Sequence, residues 1–457
     1  MVEDRIQTDP PTHEDALRDQ AKALIAANDG EALTTLVEAL HETDLADLIS
    51  HLSADERVEV IRLLGDAFDF TALTELEETV RTQILEELEP KAVAEGLADL
   101  DSDDAVYILE DLDEAQSEAI LAELPLAKRH RLKRSLDFPE ESAGRRMQSD
   151  FVAMPPFWTV GQVIDTLREE DNLPDAFNQI FIVDAAFRLM GTVALDTLLR
   201  THRHVRITDI MQDTPRTIAA DLDQEEAARI FQRYDLLSAA VVDEGERLVG
   251  ILTIDDIVDV IEAEADEDIR ALAGAGDAEL SDGPLYVART RIPWLMINMI
   301  TAFLASGVIA IFDGTIAEMV ALAILMPVVT ALGGNAGIQA MTVTVRAISQ
   351  KQINRSNIGR VVAREITVAL VNGTAVAICV GALAALWFSA PALGVVIGAA
   401  LVFNILCAGL FGAVLPLALD KAGVDPAVAS SVFLTTLTDV IGFCAFLALA
   451  QWWFVLG

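Results

Sequence analysis

Asp439 is the one charged residue in SSVFLTTLTDVIGFCAFLALA, residues 430–450. A carboxylate in the middle of an apolar run costs about 2.5–3.5 kcal/mol to place in a bilayer, and such groups usually face a polar cavity. Ser431, Thr435 and Asp439 recur every four residues, so on a helix they share one face, and Gly442 continues that face without a side chain. Phe, Leu, Val and Ile occupy the other sides. Small hydroxyls leading to one acid suit the wall of an ion path. The same residues also suit a hydrogen-bonded acid that packs helices together. A second stretch, GGNAGIQ (333–339), sets glycines and the amides of Asn335 and Gln339 inside another apolar run. The glycines are expected to break that span at membrane depth, which is tolerated only against protein or water.

One acid per chain is too few to strip a divalent ion of its water. Magnesium is often held through its water by one or two carboxylates. Two chains on a two-fold axis would present two Asp439 groups to one hydrated ion. A monovalent ion is also compatible with that arrangement. A second group of acids, Asp256, Asp259, Glu264, Glu267 and Asp268, crowds the approach to the apolar part. Unit charges about 4 Å apart repel by roughly 4 kcal/mol at an effective dielectric of 20. Several such contacts exceed the ~5.5 kcal/mol that swings a two-state gate from 1:99 to 99:1. Divalent ions would remove that repulsion and favour a compact, closed state.

Composition frames these residues. The 457-residue chain is 52% hydrophobic, yet its formal net charge is −40. From residue 284 onward the only acids are Asp313, Glu318, Glu365, Asp420, Asp425 and Asp439, so the negative charge sits almost wholly in the first 283 residues. Such a surface repels phosphates and argues against nucleic acid as a partner. Lysine is scarce among the 32 basic residues, so solvation in a high-salt cytoplasm also accounts for the acidic excess. Cys379, Cys407 and Cys444 lie far apart in the apolar part, which points to neither a disulfide framework nor a thiolate metal site. The six histidines sit in the acidic part without a ligand pattern. No nucleophile, base and oxyanion set is visible, so an enzyme is not expected.

The elements that must position these groups follow from pattern. Five apolar runs, near 292–312, 316–345, 365–388, 392–419 and 427–455, reach the roughly 20 residues that span a bilayer. Arg346, Lys351, Arg355, Arg360 and Arg364 fall between the second and third, marking the cytoplasmic side. The acidic part is then cytoplasmic and the C-terminus outside. The polar N-terminus MVEDRIQTDPPTHED shows no signal peptide. Residues 1–137 are Leu-, Ala- and Glu-rich, with N-terminal helix signals at SADE (53–56), DSDD (101–104) and DEAQ (113–116). RLMGTVALDTLL (188–199) and RLVGILTIDDIV (247–258) match in frame, each after an apolar strand ending in aspartate and each with a helical stretch upstream.

That internal repeat resembles a tandem pair of CBS domains. The full order of parts, with PVVTALGGNAGIQ, RIPWL and DPAVASSVFLTTLTDVIGF, resembles the MgtE family of magnesium channels and transporters. The resemblance implies a multidomain fold: an all-α helical domain (1–137), an α+β CBS pair (138–262), an acidic linker helix and connector (263–290) and an all-α five-helix pore domain (291–457). It implies a homodimer in the cell membrane, with a pore between the chains that cytosolic Mg2+ closes. The filter acid falls on Asp439, a second pore-helix acid on Asp425, and lining positions on Thr435 and Ser431; the Asn335 amide of GGNAGIQ is a further pore candidate from the residues themselves. Regulatory metal ligands fall on Asp256, Asp259, Glu264, Glu267 and Asp268, on Asp235 in RYDLL and on Asp103 in DSDD. The acid expected one turn after Asp103 is replaced by Tyr107. Gly250, Thr253 and Asp256 of GILTIDD match a weaker CBS pattern for a nucleotide, which makes ATP a second possible ligand. Two other functions stay open at this point: a proton-coupled divalent-cation transporter, and a nucleotide-sensing membrane regulator.

Overall fold

The computed structural model describes residues 13–454 except 171, 172, 175, 275–277, 279–281 and 355. Arg355 of the basic cluster and part of the 263–290 connector therefore lie outside the described residues. The chain divides into two compact units, Met1–Ala263 and Glu264–Gly457.

The first unit opens with nine short α-helices between His13 and Leu136. Each buries one apolar stripe into a shared core; in Ala54–Leu64 the stripe is Val60, Ile61 and Leu64. The start signals mostly act as the sequence predicts. Ser53 and Glu56 form a capping box, and Asp113 accepts a 2.8 Å bond from the Gln116 amide. DSDD differs: Asp101 stands at the N-cap of Ser102–Glu110 without a side-chain cap bond.

Two three-stranded sheets follow. β1 (Ala153–Met154), β2 (Gln179–Val183) and β3 (Leu189–Ala194) form the first, and β4 (Thr217–Ala219), β5 (Ser238–Val242) and β6 (Leu248–Thr253) the second. In each sheet the first pair is parallel and the second antiparallel. The repeat is preserved to the residue: Gln179 pairs with Ala194 and Ser238 with Thr253, and a bulge falls at Ile182/Val183 and again at Val241/Val242. Helices Val160–Glu169 and Gln224–Tyr234 occupy the stretches expected of them, each capped by the preceding Thr159 or Asp223. The second sheet runs straight into a 20-residue helix, Ile254–Ala273, so the linker acids extend the last helix of the β-containing region.

Among the described residues, the second unit holds five helices long and apolar enough to cross a membrane. They are Pro284–Ile311, Ala321–Ser349, Ile358–Trp387, Pro391–Lys421 and Pro426–Phe454, called here the first to fifth spans. A short helix, Asp313–Glu318, takes residues that the apolar pattern assigned to the second span. The fourth span is the hub and packs against the second, third and fifth, whereas the first span is nearly bare.

One expectation is overturned. The second span is a single helix from Ala321 to Ser349, and LGGNAG does not break it. The glycines admit neighbours instead. A Cβ on Gly333 would fall 2.1 Å from Asn404 Nδ2, and one on Gly412 would fall 2.7 Å from the Gly337 carbonyl oxygen. In membrane helices small residues serve close backbone approach in this way.

Candidate functional site

In the second unit, Asp439 lies half-buried on the fifth span, two turns beyond Ser431. The hydroxyl of Thr435 donates to the Ser431 carbonyl at 3.0 Å, and that of Thr438 to the Thr435 carbonyl at 2.9 Å. Both donors are thus spent on the helix itself; Thr438 is fully buried, whereas the oxygen lone pairs of Thr435 remain for a cation or its water. Ser431 and Thr435 line a cavity of about 580 Å³, together with Leu272–Gly274 at the end of the linker helix and Arg291, Trp294 and Asn298 on the first span. Asn335 and Gln339 on the second span are exposed, on the side turned away from this single-chain bundle. Asp425 is exposed just before the fifth span.

The second candidate site is cytosolic and lies within the first unit. The Asp103 and Asp256 carboxyl groups meet in hydrogen-bond contact. Asp103 is 8% exposed on helix Ser102–Glu110, and its Oδ1 has no hydrogen-bond partner among the described residues. Burial and the Asp256 charge push the Asp103 carboxyl well above the usual range. Burial, then the charges of Asp256, Asp101, Asp255 and Asp259, raise Asp104 to about 7. Burial also raises Asp259, as it does Glu75, which feels Asp259. Six aspartates and one glutamate thus share one electrostatic neighbourhood. Among the described residues, no three His, Cys, Asp or Glu side chains are arranged to hold a metal ion. What stands assembled is a close acid pair at the junction of the helical domain with the second sheet.

The other sequence-predicted residues divide. Thr253 Oγ1 donates to Asp256 Oδ2 at 2.5 Å, so the two nucleotide candidates bond each other at the start of Ile254–Ala273. Asp235 ends Gln224–Tyr234 in the left-handed region (φ +50°), which aspartate tolerates better than most residues, and it is exposed. Glu264, Glu267 and Asp268 lie on the second-unit part of the linker helix.

Tyr107 takes the place of an acid, and its ring explains how the junction holds. The Arg81 guanidinium stacks 4.4 Å from the ring centre and that of Arg146 lies 5.3 Å away. Arg81 also donates to Asp111 at 2.6 Å, and Arg146 to Glu110 at 2.7 Å. Arg81 belongs to the helical domain and Arg146 to the segment leading into β1, so the ring joins the two. Desolvated cation–π contacts are worth about 2 kcal/mol each. Tyr107→Ala is expected to speed amide exchange in Ser102–Glu110 by roughly tenfold or more, with or without Mg2+. Tyr107→Asp should lose the same protection in chelator yet regain part of it on adding Mg2+; protection unchanged in both variants would show that the ring does not hold the junction.

Against known proteins, three family profiles match parts of this chain: "Divalent cation transporter" (MgtE) over 326–449, "MgtE intracellular N domain" over 40–141, and "CBS domain" over 207–263. The magnesium transporter MgtE of Bacillus subtilis (strain 168) is 32% identical over 318 residues, which cover 69% of this chain and 70% of that one. The chain belongs to the MgtE family. The MgtE of Thermus thermophilus is 35% identical over 318 residues, again 69% of this chain and 70% of the relative. Among solved structures, the cytosolic domain of the Mg2+ channel MgtE in complex with ATP is 30% identical, with a TM-score of 0.50, and covers 53% of this chain and 99% of that one. The MgtE assignment agrees with a multi-pass membrane protein carrying a helical domain and a CBS pair. Asn404 is the residue that sequence reading passed over: a fully buried amide in an otherwise apolar span.

Proposed function

We propose that this chain moves Mg2+ down its electrochemical gradient through a homodimeric passage bordered by Asp439, and that cytosolic Mg2+ closes it. One observation carries the reading: the Ser431–Thr435–Asp439 face begins at a cavity on the fifth span that Arg291 and Asn298 also line. The bare first span and outward-facing Asn335 support a second copy as the other wall. In the closed state Asp103, Asp256 and Asp259, with Glu264, Glu267, Asp268 and Asp235, hold regulatory Mg2+, and the ion competes with protons for the raised Asp103 carboxyl. Asp425 helps gather ions at the end of the pore helix. The helical domain and CBS pair are cytoplasmic and the C-terminus lies outside. ATP at Gly250, Thr253 and Asp256 is the second regulatory ligand, supported by the ATP complex of the 30%-identical cytosolic domain. Lipid surrounds the five spans.

Purified chain in liposomes gives the test. Mg2+ uptake should follow the Mg2+ gradient, persist when protons are equilibrated by an ionophore, and fall as internal Mg2+ rises. Uptake that vanishes with the proton gradient while the Mg2+ gradient remains would replace this reading with a coupled transporter.

A further inference from the structure

The two membrane motifs, GGNAG and TDVIGF, meet through one side chain. Asn404 on the fourth span is 0% exposed, and its Nδ2 donates to the Val329 carbonyl at 3.0 Å. A Cβ added to Gly333 would stand 2.1 Å from that nitrogen, and one added to Gly442 would stand 2.6 Å from it. The amide therefore fills a slot whose other walls are a glycine on the second span and a glycine on the fifth. Gly442 follows Asp439 by three residues, so the slot grips the fifth span less than one turn from its acid. The Asn404 Oδ1 is buried without a partner among the described residues. A buried polar atom left unpaired works against stability, and an apolar side chain would avoid that penalty. Helices that meet through glycines can slide or rotate unless something keys them, and a single buried polar residue can fix register at a cost in stability.

We propose that Asn404 is a positioning residue that keys the second and fifth spans together and so sets where the Asp439 carboxylate stands. The link to ion passage rests on the transport reading above; the placement of Asp439 does not.

The full-length chain in liposomes tests both parts. Asn404→Ala should reduce Mg2+ uptake by about tenfold and change the ratio of Mg2+ to Co2+ uptake by about fivefold, as expected if a keyed contact is lost. Gly442→Ala drives a methyl into the amide and should also lose uptake. The double variant Asn404→Ala/Gly442→Ala refills the slot from the other side and should recover part of what Gly442→Ala lost. If Asn404→Ala does not fold, Asn404→Ser makes the same comparison. Additive losses with an unchanged ion ratio would reduce Asn404 to packing and overturn the proposal. A second readout needs no flux. In a chain whose Cys379, Cys407 and Cys444 are replaced by serine, Asp439→Cys is modified by a charged methanethiosulfonate. Adding Asn404→Ala should slow that modification about tenfold. An unchanged rate overturns the positioning role even if transport stands. A slowed rate, with the unaltered chain showing no Mg2+ uptake in liposomes, would uphold it while the transport reading fails.

Discussion

Replacing Asp439 with alanine is expected to lower Mg2+ uptake at least a hundredfold, on the order of 2.7 kcal/mol or more in the ion's stabilisation, while the chain stays folded. A divalent ion held through one layer of water stands about 5 Å from a carboxylate, an attraction of roughly 6 kcal/mol at an effective dielectric of 20. Losing less than half of it already gives the hundredfold fall. The fold gains instead, because a mid-span acid costs about 2.5–3.5 kcal/mol to keep in the membrane. Unfolding temperature should hold or rise. Asp439→Asn keeps the shape and removes the charge, so it should fail nearly as badly. Uptake by either variant within twofold of the unaltered chain would remove Asp439 from the ion path.

The second large effect concerns the acid cluster around Asp103 and Asp256. These carboxyls bind protons more tightly folded than unfolded. The stabilisation they give is fully present below the ordinary carboxylate range and is lost as pH rises through their raised values. For Asp104 that window runs from 3.8 to about 7. Its share is at most about 4 kcal/mol. In chelator, amide exchange in Ser102–Glu110, corrected for intrinsic rates, should therefore quicken as pH goes from 5 to 8. Saturating Mg2+ should flatten that slope, because the ion supplies above pH 7 the positive charge that protons supply below it. Asp103→Asn mimics the protonated acid: it should hold the helix protected in chelator and shift the internal Mg2+ that inhibits flux by tenfold or more. Protection that grows with pH in chelator would contradict the sign of every shift in the cluster.

Several parts of this structure were written plainly in local pattern. The in-frame repeat demanded matching sheets, and paired residues such as Gln179–Ala194 and Ser238–Thr253 keep its register. The five spans followed from length and hydropathy alone, because backbone in lipid must satisfy its own hydrogen bonds. What stayed hidden depends on partners distant in sequence. Glycine reads the same whether it breaks a helix or lets another helix approach, so Gly333 could be assigned only once Asn404 stood against it. Asp235 looked like an acid for a metal, and its local task of ending a helix shows only in its backbone angle. Tyr107 stood out as a missing carboxylate; its two arginines come from segments far along the chain on either side.

That ring has a bearing on the medium in which such an acidic chain would work. At about 1 M salt the Debye length shrinks to ~3 Å, and exposed ion pairs lose most of their grip. Arg81, only 2% exposed and pressed on Tyr107, is shielded from that loss. A brine that weakens solvent-facing charge pairs would leave this aromatic rivet nearly untouched, so its hold on the helical domain would be much the same whether the cell were fresh or saline.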